Sequence, residues 1–520
     1  MRGLLTFGEA LSAQARLTPH KIGASDLDRE MSFAVWDERA RRLANALLGL
    51  GLVKGDRVAV LAYNCVEFAE IYAATAKAGL VAVPINFRLV AREALYIVED
   101  AECAALIVQD ELVGVVEEVA AELSVKQGRR IHFGRRAAPA GFLDYEDIIG
   151  RAYSSAPDVA VEGADPWVFM YTSGTTGKPK GVIRTHRGAA LLGLVTQVEL
   201  KLARENSSLL VMPMCHGNSL YFFGAFAQMG GACHIYSRKS FDPEHAIHTL
   251  AEKRATFTSL VPTHYIMMLG LPAETRARLD LGSVEKLMIS SAPARSDTKR
   301  AVMEMFRNSG LYELYGSSEA GWVTMLHPDE QFTHLGSVGR ECIGSAPIRI
   351  LDENGVEVPD GQPGELYSNN PYTFEGYWKL PDKTAEAFRG DYCSVGDMAL
   401  RDADGFIRLI DRKKNLIISG GENIYPSEVE NVIGAHPLVR DVAVVGLPDA
   451  LWGERVHACV VLHEGVSASE ADLIDWSREK LAGYKRPRTI TFLTDSEMPR
   501  TATGKNLHRE LRERLMKGAP

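Results

Sequence analysis

The sequence predicts a layered α/β fold followed by a small α+β domain. Helical and strand-like stretches alternate over the first 130 residues, a pattern typical of parallel strands covered by helices. The last hundred residues instead show a helix–strand–strand–helix order. The chain has 520 residues, 46% of them hydrophobic, which is long enough for several buried cores.

The first alternating elements are identified by their hydrophobic spacing. Leu and Ala recur at helical spacing from Trp36 to Leu50, and the apolar run RVAVLAY that follows predicts a strand. The pattern of Glu67–Gly79 is again helical, and Leu80–Ile85 is a short apolar strand. Residues 128–166 are richer in Gly, Ala, Pro and Arg, so we expect a surface connection there.

The C-terminal region has a different pattern. A helix is expected from Pro426 to Ala435, opened by Pro and Ser. The runs DVAVVGL and VHACVVL predict two paired strands. A second helix is expected to begin at Ser467 or Ser469, as its N-cap, and to continue to Tyr484. Two helices and two paired strands make a small α+β domain.

Composition and charge exclude several classes of protein. With 58 basic and 67 acidic residues the net charge is −9, which argues against bulk nucleic-acid binding. The seven cysteines are odd in number and form no CxxC pair, so a reducing cytoplasmic location is expected. No apolar run reaches 18 residues, so no transmembrane segment is expected. The apolar stretch near the N-terminus is too short for a signal peptide.

The average charge conceals a basic segment. Residues 480–517 contain ten basic and four acidic residues, a net of +6, which leaves −15 for the rest of the chain. A run of charges is usually a solvated face. This segment nevertheless suits a small polyphosphate ligand, whereas the overall charge discourages nucleic acid.

The strongest local signal is the segment YTSGTTGKPKGV, from Tyr171 to Val182. Its glycines let backbone N–H groups converge on an anion, its hydroxyls donate hydrogen bonds, and Lys178 or Lys180 neutralises charge. The spacing differs from the Walker pattern, because only two residues separate Gly174 from Gly177. The residues expected to cradle phosphate are Thr172, Ser173, Gly174, Thr175, Thr176, Gly177 and Lys180.

With this loop the sequence resembles the adenylate-forming superfamily: acyl-CoA synthetases, aryl-CoA ligases, luciferases and adenylation domains. Further motifs of that family follow in order along the chain. The hexapeptide YGSSEA matches a pattern in which Tyr315, with Gly316 and Ser318, meets the adenine and Glu319 holds Mg2+. The resemblance also assigns Thr172 to the Mg2+ site. A carboxylate that faces phosphates needs a hard cation between them.

Two motifs are implied to border the acid that such an enzyme activates. The motif SSAP would lay Ser291, Ala292 and Pro293 against the adenine and along the acyl pocket. The motif PMCHGN would place His216, as a catalytic residue, beside the acyl pocket and the entry of the thiol. Cys215 stands where the family has an aromatic residue, a change that would reshape the carboxylate pocket.

The ribose contacts and the interdomain hinge are also implied by the resemblance. Asp397, in YCSVGD, and Arg412, in IDR, would bind the ribose hydroxyls, although a valine replaces the family's threonine before Gly-Asp. Lys414 would be the hinge. It separates an adenylation domain, 1–412, from a small mobile domain, 413–520.

The two remaining motifs lie in the small domain. In SGGENIYPSE, Gly420 and Gly421 would let the pantetheine arm of coenzyme A pass close to the backbone. In PRTATGK, the last residue is Lys505, the implied catalytic lysine. An ammonium group there could bridge the carboxylate and the phosphate as charge develops in the transition state.

Together these motifs imply a two-step acid–thiol ligase that uses ATP, Mg2+ and coenzyme A. A carboxylate attacks the α-phosphate to give an acyl-adenylate and pyrophosphate, and the thiol of coenzyme A then releases AMP. Rotation of the small domain would remove Lys505 between the two steps. The pocket segments mix aromatic, Met and small residues, which suits an apolar or aryl acid of medium size.

Several alternatives stay open from the sequence. The acyl group could pass to an amine or to a carrier-protein thiol, and a luciferase-like oxidoreductase would consume oxygen instead. A non-catalytic binding protein is disfavoured, because the charged motif residues are intact. The identity of the acid and the oligomeric state, including a homodimer, are not determined by these motifs.

Overall fold

The structure, a computed structural model, describes residues 6–172, 178–290, 294–419, 422–478, 480–501 and 504–518. Two compact units are present. The first extends to Pro347 and includes the later segment Ser368–Cys393. The second contains Ile348–Tyr367 and the chain from Ser394 onward. The boundary expected between residues 412 and 413 falls inside the second unit, and its role as a hinge stays a prediction.

The described residues form helices and strands throughout both units. The helices are α1 Phe7–Leu17, α2 Phe33–Gly49, α3 Glu67–Ala78, α4 Ala91–Asp100, α5 Val113–Glu117, α6 Tyr145–Arg151, α7 His186–Glu199, α8 Gly217–Met229, α9 Pro243–Glu252, α10 Pro262–Leu269, α11 Ala273–Ala277, α12 Ser296–Met305, α13 Pro381–Ala387, α14 Pro426–Gly434, α15 Glu470–Ser477 and α16 His508–Met516. The strands are β1 Ile22–Ser25, β2 Glu30–Ser32, β3 Arg57–Leu61, β4 Val81–Ile85, β5 Cys103–Gln109, β6 Arg130–Phe133, β7 Leu143–Asp144, β8 Pro166–Thr172, β9 Lys180–Thr185, β10 Ser207–Leu210, β11 Ala232–Ile235, β12 Phe257–Leu260, β13 Lys286–Ser290, β14 Gly310–Ser317, β15 Gly321–Leu326, β16 Arg340–Glu341, β17 Arg349–Leu351, β18 Gly364–Tyr367, β19 Gly376–Tyr377, β20 Phe388–Arg389, β21 Tyr392–Cys393, β22 Asp397–Arg401, β23 Ile407–Arg412, β24 Ile417–Ser419, β25 Glu422–Ile424, β26 Val439–Asp449, β27 Gly453–Leu462 and β28 Thr489–Phe492.

The first unit contains a nine-stranded sheet with a parallel centre. Its order is β16–β15–β14–β13–β12–β10–β11–β1–β2. The neighbours from β14 to β1 pair in parallel, whereas β15, β16 and β2 pair antiparallel at the margins. Central parallel strands are covered on both faces, and all four residues of β12 are buried, including the polar Thr258 and Ser259.

An eight-stranded sheet of the same unit repeats this plan. Its order is β19–β9–β8–β4–β3–β5–β6–β7, with parallel pairs from β8 to β7 and antiparallel pairs from β8 to β19. The antiparallel pair β8–β9 flanks the expected phosphate loop, and YGSSEA covers the end of β14 and the turn to β15 in the other sheet. The predicted layered α/β fold is therefore confirmed, and each sheet carries one motif at its antiparallel margin.

The early elements expected from hydrophobic spacing are all present. Helix α2 begins after Ser32, whose hydroxyl accepts a hydrogen bond of 3.3 Å from the Val35 amide. It buries Trp36 among the aromatic residues of the core. Helix α3 ends at Gly79, where φ is 65°, a left-handed conformation that glycine adopts without a steric cost. Strands β3 and β4 flank this helix in sequence and pair in parallel.

The surface connection expected over residues 128–166 is wrong in its first half. Strand β6 is buried along its whole length and joins the eight-stranded sheet beside β5. Helix α6 follows, and the hydroxyl of Tyr145 donates a hydrogen bond of 2.8 Å to buried Glu70. Arginines and glycines flank β6 in sequence, and two of its four residues, Arg130 and His132, are polar although they are buried. The sequence therefore shows no apolar run at this strand.

The second unit contains the small α+β domain that the sequence predicts. Strands β26 and β27 form a long antiparallel pair, and β24, β25 and β28 complete a five-stranded sheet. Alternate residues of β26 face two apolar clusters, so that Val444 packs with Ile433 and Val445 packs with Leu511. An antiparallel sheet of β17, β18, β22 and β23 precedes it.

The helices of this domain begin where the sequence places them. Helix α14 has Pro426 at its first turn, and α15 begins after Ser469 in a reciprocal capping box with Asp472. Helix α15 ends at Ser477, earlier than expected, where the hydroxyl of Ser477 donates to the Ile474 carbonyl at 2.6 Å. Within the described part of the chain, no helix is both long and apolar enough to span a membrane.

Candidate active site

The expected phosphate loop joins two antiparallel strands of the eight-stranded sheet. Thr172 ends β8, Lys180 begins β9, and the two residues lie opposite each other in the register. The Lys180 side chain is half-buried, and desolvation by burial lowers its pKa, while the charge of Glu319 opposes that shift. Expected phosphate ligands Ser173, Gly174, Thr175, Thr176 and Gly177 lie outside the described residues.

Lys180 and Glu319 are connected through a residue that the motifs do not contain. The hydroxyl of Tyr377, on β19, donates a hydrogen bond of 2.8 Å to Oε1 of Glu319. The Lys180 ammonium lies 3.8 Å from the centre of the same tyrosine ring, a cation–π contact. Tyr377 and Glu319 are both buried. One tyrosine side chain therefore contacts both the expected phosphate cation, through its ring, and the expected metal carboxylate, through its hydroxyl.

Arg184, at the other end of β9, bonds to the backbone of the turn that carries Glu319. Its guanidinium is buried, and Nη1 donates to the carbonyl oxygens of Ser318 and Glu319 at 3.3 and 3.1 Å. The guanidinium also lies 5.2 Å from the ring centre of Tyr221, whose hydroxyl donates to the Ser318 carbonyl. Residues 180 and 184 share one face of the strand, because side chains alternate with a period of two. From that face Arg184 bonds to the backbone at Ser318 and Glu319, and Lys180 contacts the Tyr377 ring.

Tyr315 and Gly316 lie at an irregularity of the β14–β15 pair. The register shifts between these two residues. A Cβ at Gly316 would lie 2.2 Å from the carbonyl oxygen of Gly321, so no other residue fits without a shift of the backbone. Tyr315 is half-buried and Gly316 is exposed, as an adenine-facing segment would need. The hydroxyl of Ser317 accepts from the Ala320 amide at 2.9 Å and closes the turn.

The surroundings of Glu319 fit a Mg2+ ion that would be bound partly by this carboxylate and partly by the phosphates of a nucleotide. A carboxylate has about four lone-pair sites, so the bond from Tyr377 leaves capacity for a cation. Across the described residues, no group of three or more His, Cys, Asp or Glu could hold a metal by itself. Mg2+ is commonly bound by one or two carboxylates together with substrate phosphates, which matches a single buried carboxylate beside a phosphate loop.

The segment expected to border the acyl pocket begins helix α8. His216 is its N-cap residue and is half-buried. Two residues on, buried Asn218 donates a hydrogen bond of 2.7 Å to the hydroxyl of Ser290 at the end of β13. Burial raises the pKa of the Cys215 thiol to about 12, so Cys215 is a packing residue, not a thiolate nucleophile. Ser291, Ala292 and Pro293 lie outside the described residues.

The expected ribose contacts lie together in the second unit. Asp397 on β22 and Arg412 on β23 are direct partners in the antiparallel register. Asp397 is buried. Glu365 supports the loop that precedes it, because its carboxylate accepts from the Ser394 hydroxyl at 2.8 Å and from Lys413 Nζ at 2.9 Å. One carboxylate thus ties the Asp397 loop to the residue that precedes the expected hinge.

The expected hinge residue Lys414 lies in a 3₁₀ turn, Lys413–Asn415. Asp411 connects this turn to helix α14. Its carboxylate accepts a hydrogen bond of 3.2 Å from the side-chain amide of Asn415 and one of 2.9 Å from the backbone amide of Ser427. Ser427 is in the first turn of α14, where backbone N–H groups lack partners within the helix. The glycines expected on the coenzyme A path, Gly420 and Gly421, lie outside the described residues.

Lys505 lies on a short antiparallel pairing near the C-terminus. The Thr501 amide donates to the Lys505 carbonyl at 2.7 Å, and the Leu507 amide donates to the Pro499 carbonyl at 2.9 Å. The Lys505 amide in turn donates to the Thr501 hydroxyl at 3.1 Å. Lys505 is exposed, in keeping with a side chain that must meet a substrate.

Comparison with known families decides the identity of this chain. A model described as AMP-binding enzyme matches residues 11–378, and one described as AMP-binding enzyme C-terminal domain matches residues 428–505. The chain belongs to the AMP-binding enzyme family. The membership in the adenylate-forming superfamily that the motifs implied is thus confirmed.

Members of this family with curated names resemble the chain over nearly its whole length. It is 35% identical over 503 residues to the feruloyl-CoA synthase of Amycolatopsis sp, covering 96% of this chain and 97% of the relative. It is 31% identical over 508 residues to the indoleacetate–CoA ligase of Aromatoleum aromaticum, covering 96% of each. These relatives confirm the expected class, an AMP-forming acid–thiol ligase.

A solved structure of the family supports the fold independently. The anthranilate CoA ligase AuaEII in complex with anthranoyl-AMP superposes with a TM-score of 0.89 at 26% identity. The match covers 99% of this chain and 98% of the solved one.

Proposed function

We propose that this AMP-binding enzyme activates an aryl or other apolar carboxylic acid with ATP and transfers the acyl group to coenzyme A. One observation carries the proposal: Tyr377 contacts Lys180 with its ring and Glu319 with its hydroxyl, beside the ends of β8 and β9. A cation and a carboxylate held by one buried tyrosine suit a nucleotide polyphosphate with its metal. The named relatives, a feruloyl-CoA synthase and an indoleacetate–CoA ligase, support an aryl acid.

In the proposed first step a carboxylate oxygen attacks the α-phosphorus of ATP. The bond from that phosphorus to the bridging oxygen breaks, and pyrophosphate leaves. Phosphoryl transfer depends mainly on positioning and charge neutralisation. Lys180 would hold the leaving phosphates, Thr172 would donate a hydroxyl hydrogen bond, and Lys505 would neutralise charge as it develops. Mg2+, when bound at Glu319 and Thr172, would supply further neutralisation.

In the proposed second step the sulfur of coenzyme A attacks the adenylate carbonyl. The carbon–oxygen bond to AMP breaks, and the thiol proton is lost to solvent or a base. Asp397 and Arg412 would hold the ribose through both steps, with Tyr315 against the adenine. His216 would border the thiol path, and Gly420 and Gly421 would line it.

The cysteine pattern supports a cytoplasmic enzyme. All seven cysteines are free, and six of them are buried. Such thiols persist in a reducing compartment. The homodimer left open by the sequence remains an expectation.

A screen of pyrophosphate release tests the activity and the substrate class together. The enzyme would be supplied with Mg-ATP and one acid at a time: short-, medium- and long-chain, aryl or polycyclic. We expect aryl acids to give the highest kcat/KM, and Glu319→Gln to lower it about a hundredfold with the same acid. Release that does not depend on any acid, or that is unchanged in the variant, would contradict the proposal.

A further inference from the structure

Asp441, on strand β26, contacts both arms of the segment that carries Lys505. Its Oδ2 accepts a hydrogen bond of 2.7 Å from Nη2 of Arg500. Its Oδ1 accepts one of 3.2 Å from Nδ2 of Asn506, which also donates to the Val442 carbonyl at 3.3 Å. Arg500 and Asn506 face each other as an antiparallel bridge. A single carboxylate therefore closes the base of the pairing, one residue from Lys505.

Strand β26, which carries Asp441, is held by pairing with β27 and by an apolar core. Strand β26 pairs with β27 from Val439 to Asp449, with one register shift between Val439 and Asp441, and Val442 and Val444 are buried in one apolar cluster. The Lys505 segment, by contrast, contributes little apolar burial around the lysine itself, because Gly504 and Lys505 are exposed. Hydrogen bonds to Asp441 and to the Val442 carbonyl link this segment to the sheet.

Arg500 has a second acidic partner, Asp495. Its Nη2 also donates to Oδ1 of Asp495 at 2.9 Å, and Nη1 donates to the Asp495 carbonyl at 3.2 Å. Asp495 precedes Arg500 by five residues in the same connecting segment. Asp495 in turn accepts a hydrogen bond of 3.2 Å from Nη2 of Arg440 on β26, whereas Asp441 bonds to both arms of the pairing that carries Lys505.

We propose that Asp441 is a positioning residue for Lys505. The inference rests on the proposed function, in which Lys505 acts in adenylation and is withdrawn for thioester formation. If Asp441 fixes where the lysine is presented, its loss should slow adenylation selectively. A displacement of about 1 Å in a catalytic group can cost on the order of a hundredfold in rate.

The two half-reactions separate this role from a general structural one. Adenylation is followed by pyrophosphate release, and thioester formation is followed from purified acyl-adenylate and coenzyme A. We expect Asp441→Asn to slow adenylation about ten- to a hundredfold and to leave thioester formation within about twofold. Asn506→Ala, which removes the bond on the other arm, should act in the same direction. Glu497→Gln is the matched control, because that carboxylate accepts its bonds from Thr494 of the same connecting segment, and it should leave both rates near wild type.

The outcomes distinguish the inference from the function on which it rests. If Lys505→Ala cripples adenylation but Asp441→Asn and Asn506→Ala do not, the positioning role of Asp441 is wrong and the proposed function stands. If Asp441→Asn lowers both half-reactions equally, its role is general stability and the inference fails. If Lys505→Ala leaves adenylation intact, the assignment of Lys505 fails, and the role of Asp441 fails with it.

Discussion

The phenol hydroxyl of Tyr377 donates a hydrogen bond of 2.8 Å to the carboxylate of Glu319. The bond joins the two sheets of the first unit, because Tyr377 lies on β19 of the eight-stranded sheet and Glu319 follows β14 of the nine-stranded one. Both residues are buried, so the bond is shielded from competing water. The proposed metal carboxylate is thus oriented by the sheet that carries the phosphate loop.

Tyr377→Phe should weaken Mg-ATP binding about tenfold. A hydrogen bond to a charged group contributes about 1.5–3 kcal/mol, and its loss frees the Glu319 side chain to rotate. Calorimetric titration of Mg-ATP without the acid measures this directly. Tyr372→Phe is the matched control, since Tyr372 is also buried but donates to the Trp322 carbonyl at 2.9 Å. Equal affinity in wild type and Tyr377→Phe would refute the orienting role.

Lys414→Pro should block thioester formation while it spares adenylation. Proline fixes φ near −65°, and a hinge must change its backbone dihedrals to rotate a domain. Lys414→Ala, which keeps that freedom, is the control for loss of the side chain. The measurement is the rate of each half-reaction with supplied acyl-adenylate or with ATP and acid. A normal thioester rate in the proline variant would place the hinge elsewhere.

Lys299→Met should destabilise the first unit by about 3–5 kcal/mol. Lys299 on α12 and Glu313 on β14 form a buried ion pair, and burial raises the pKa of Glu313. Removal of one partner leaves an uncompensated buried charge, whereas replacement of both partners is often nearly neutral. We therefore expect Lys299→Met with Glu313→Leu to recover much of the loss in denaturant unfolding. A loss below about 1 kcal/mol in the single variant would contradict this account.

His186 should make the stability fall as the pH is lowered. Burial lowers the pKa of His186 to about 4, against an ordinary value near 6.5. Between these values the unfolded chain binds a proton and the folded chain does not, so stability is lost as pH falls, by about 1.4 kcal/mol per pH unit. His234, His264 and His457 have similarly lowered pKa values and add to the slope.

His186→Phe isolates the contribution of this residue. The His186 ring stacks on Trp167 with 5.9 Å between centroids, so a phenyl ring can occupy the same place. We expect a flatter dependence of the unfolding midpoint on pH between about 4 and 6.5. Exposed His20→Phe should leave the slope unchanged. Identical slopes in wild type and His186→Phe would show that His186 is not a source of the acid sensitivity.

Local patterns predicted most of the fold, because they depend on neighbours in sequence. The helical spacing of α2 and α3, the apolar runs of β3 and β4, and the capped start of α15 were all readable. Strand β6 was not, because its buried Arg130 and His132 read as surface residues. Burial of those side chains is decided by strands and helices distant in sequence.

In the candidate site, too, the residues within local motifs were predictable, and those whose partners are distant in sequence were not. The motifs named Lys180 and Glu319 but not Tyr377, which lies 58 residues beyond Glu319 and reaches it from a strand of the other sheet. Arg184 carried a usable signal, because its even spacing from Lys180 along a strand predicts a shared face. Asp441 carried none, since its link to Arg500 and Asn506 depends on how the C-terminal segment returns to β26.

The central claim is that the activated acid passes through an adenylate to coenzyme A. Mass analysis of a reaction with ATP, the best acid of the screen, and coenzyme A beside an equal concentration of a primary amine tests it most directly. We predict acyl-CoA, AMP and pyrophosphate in equal amounts, with acyl-adenylate accumulating when coenzyme A is withheld. Amide as the main product, or ADP in place of AMP, would contradict the account.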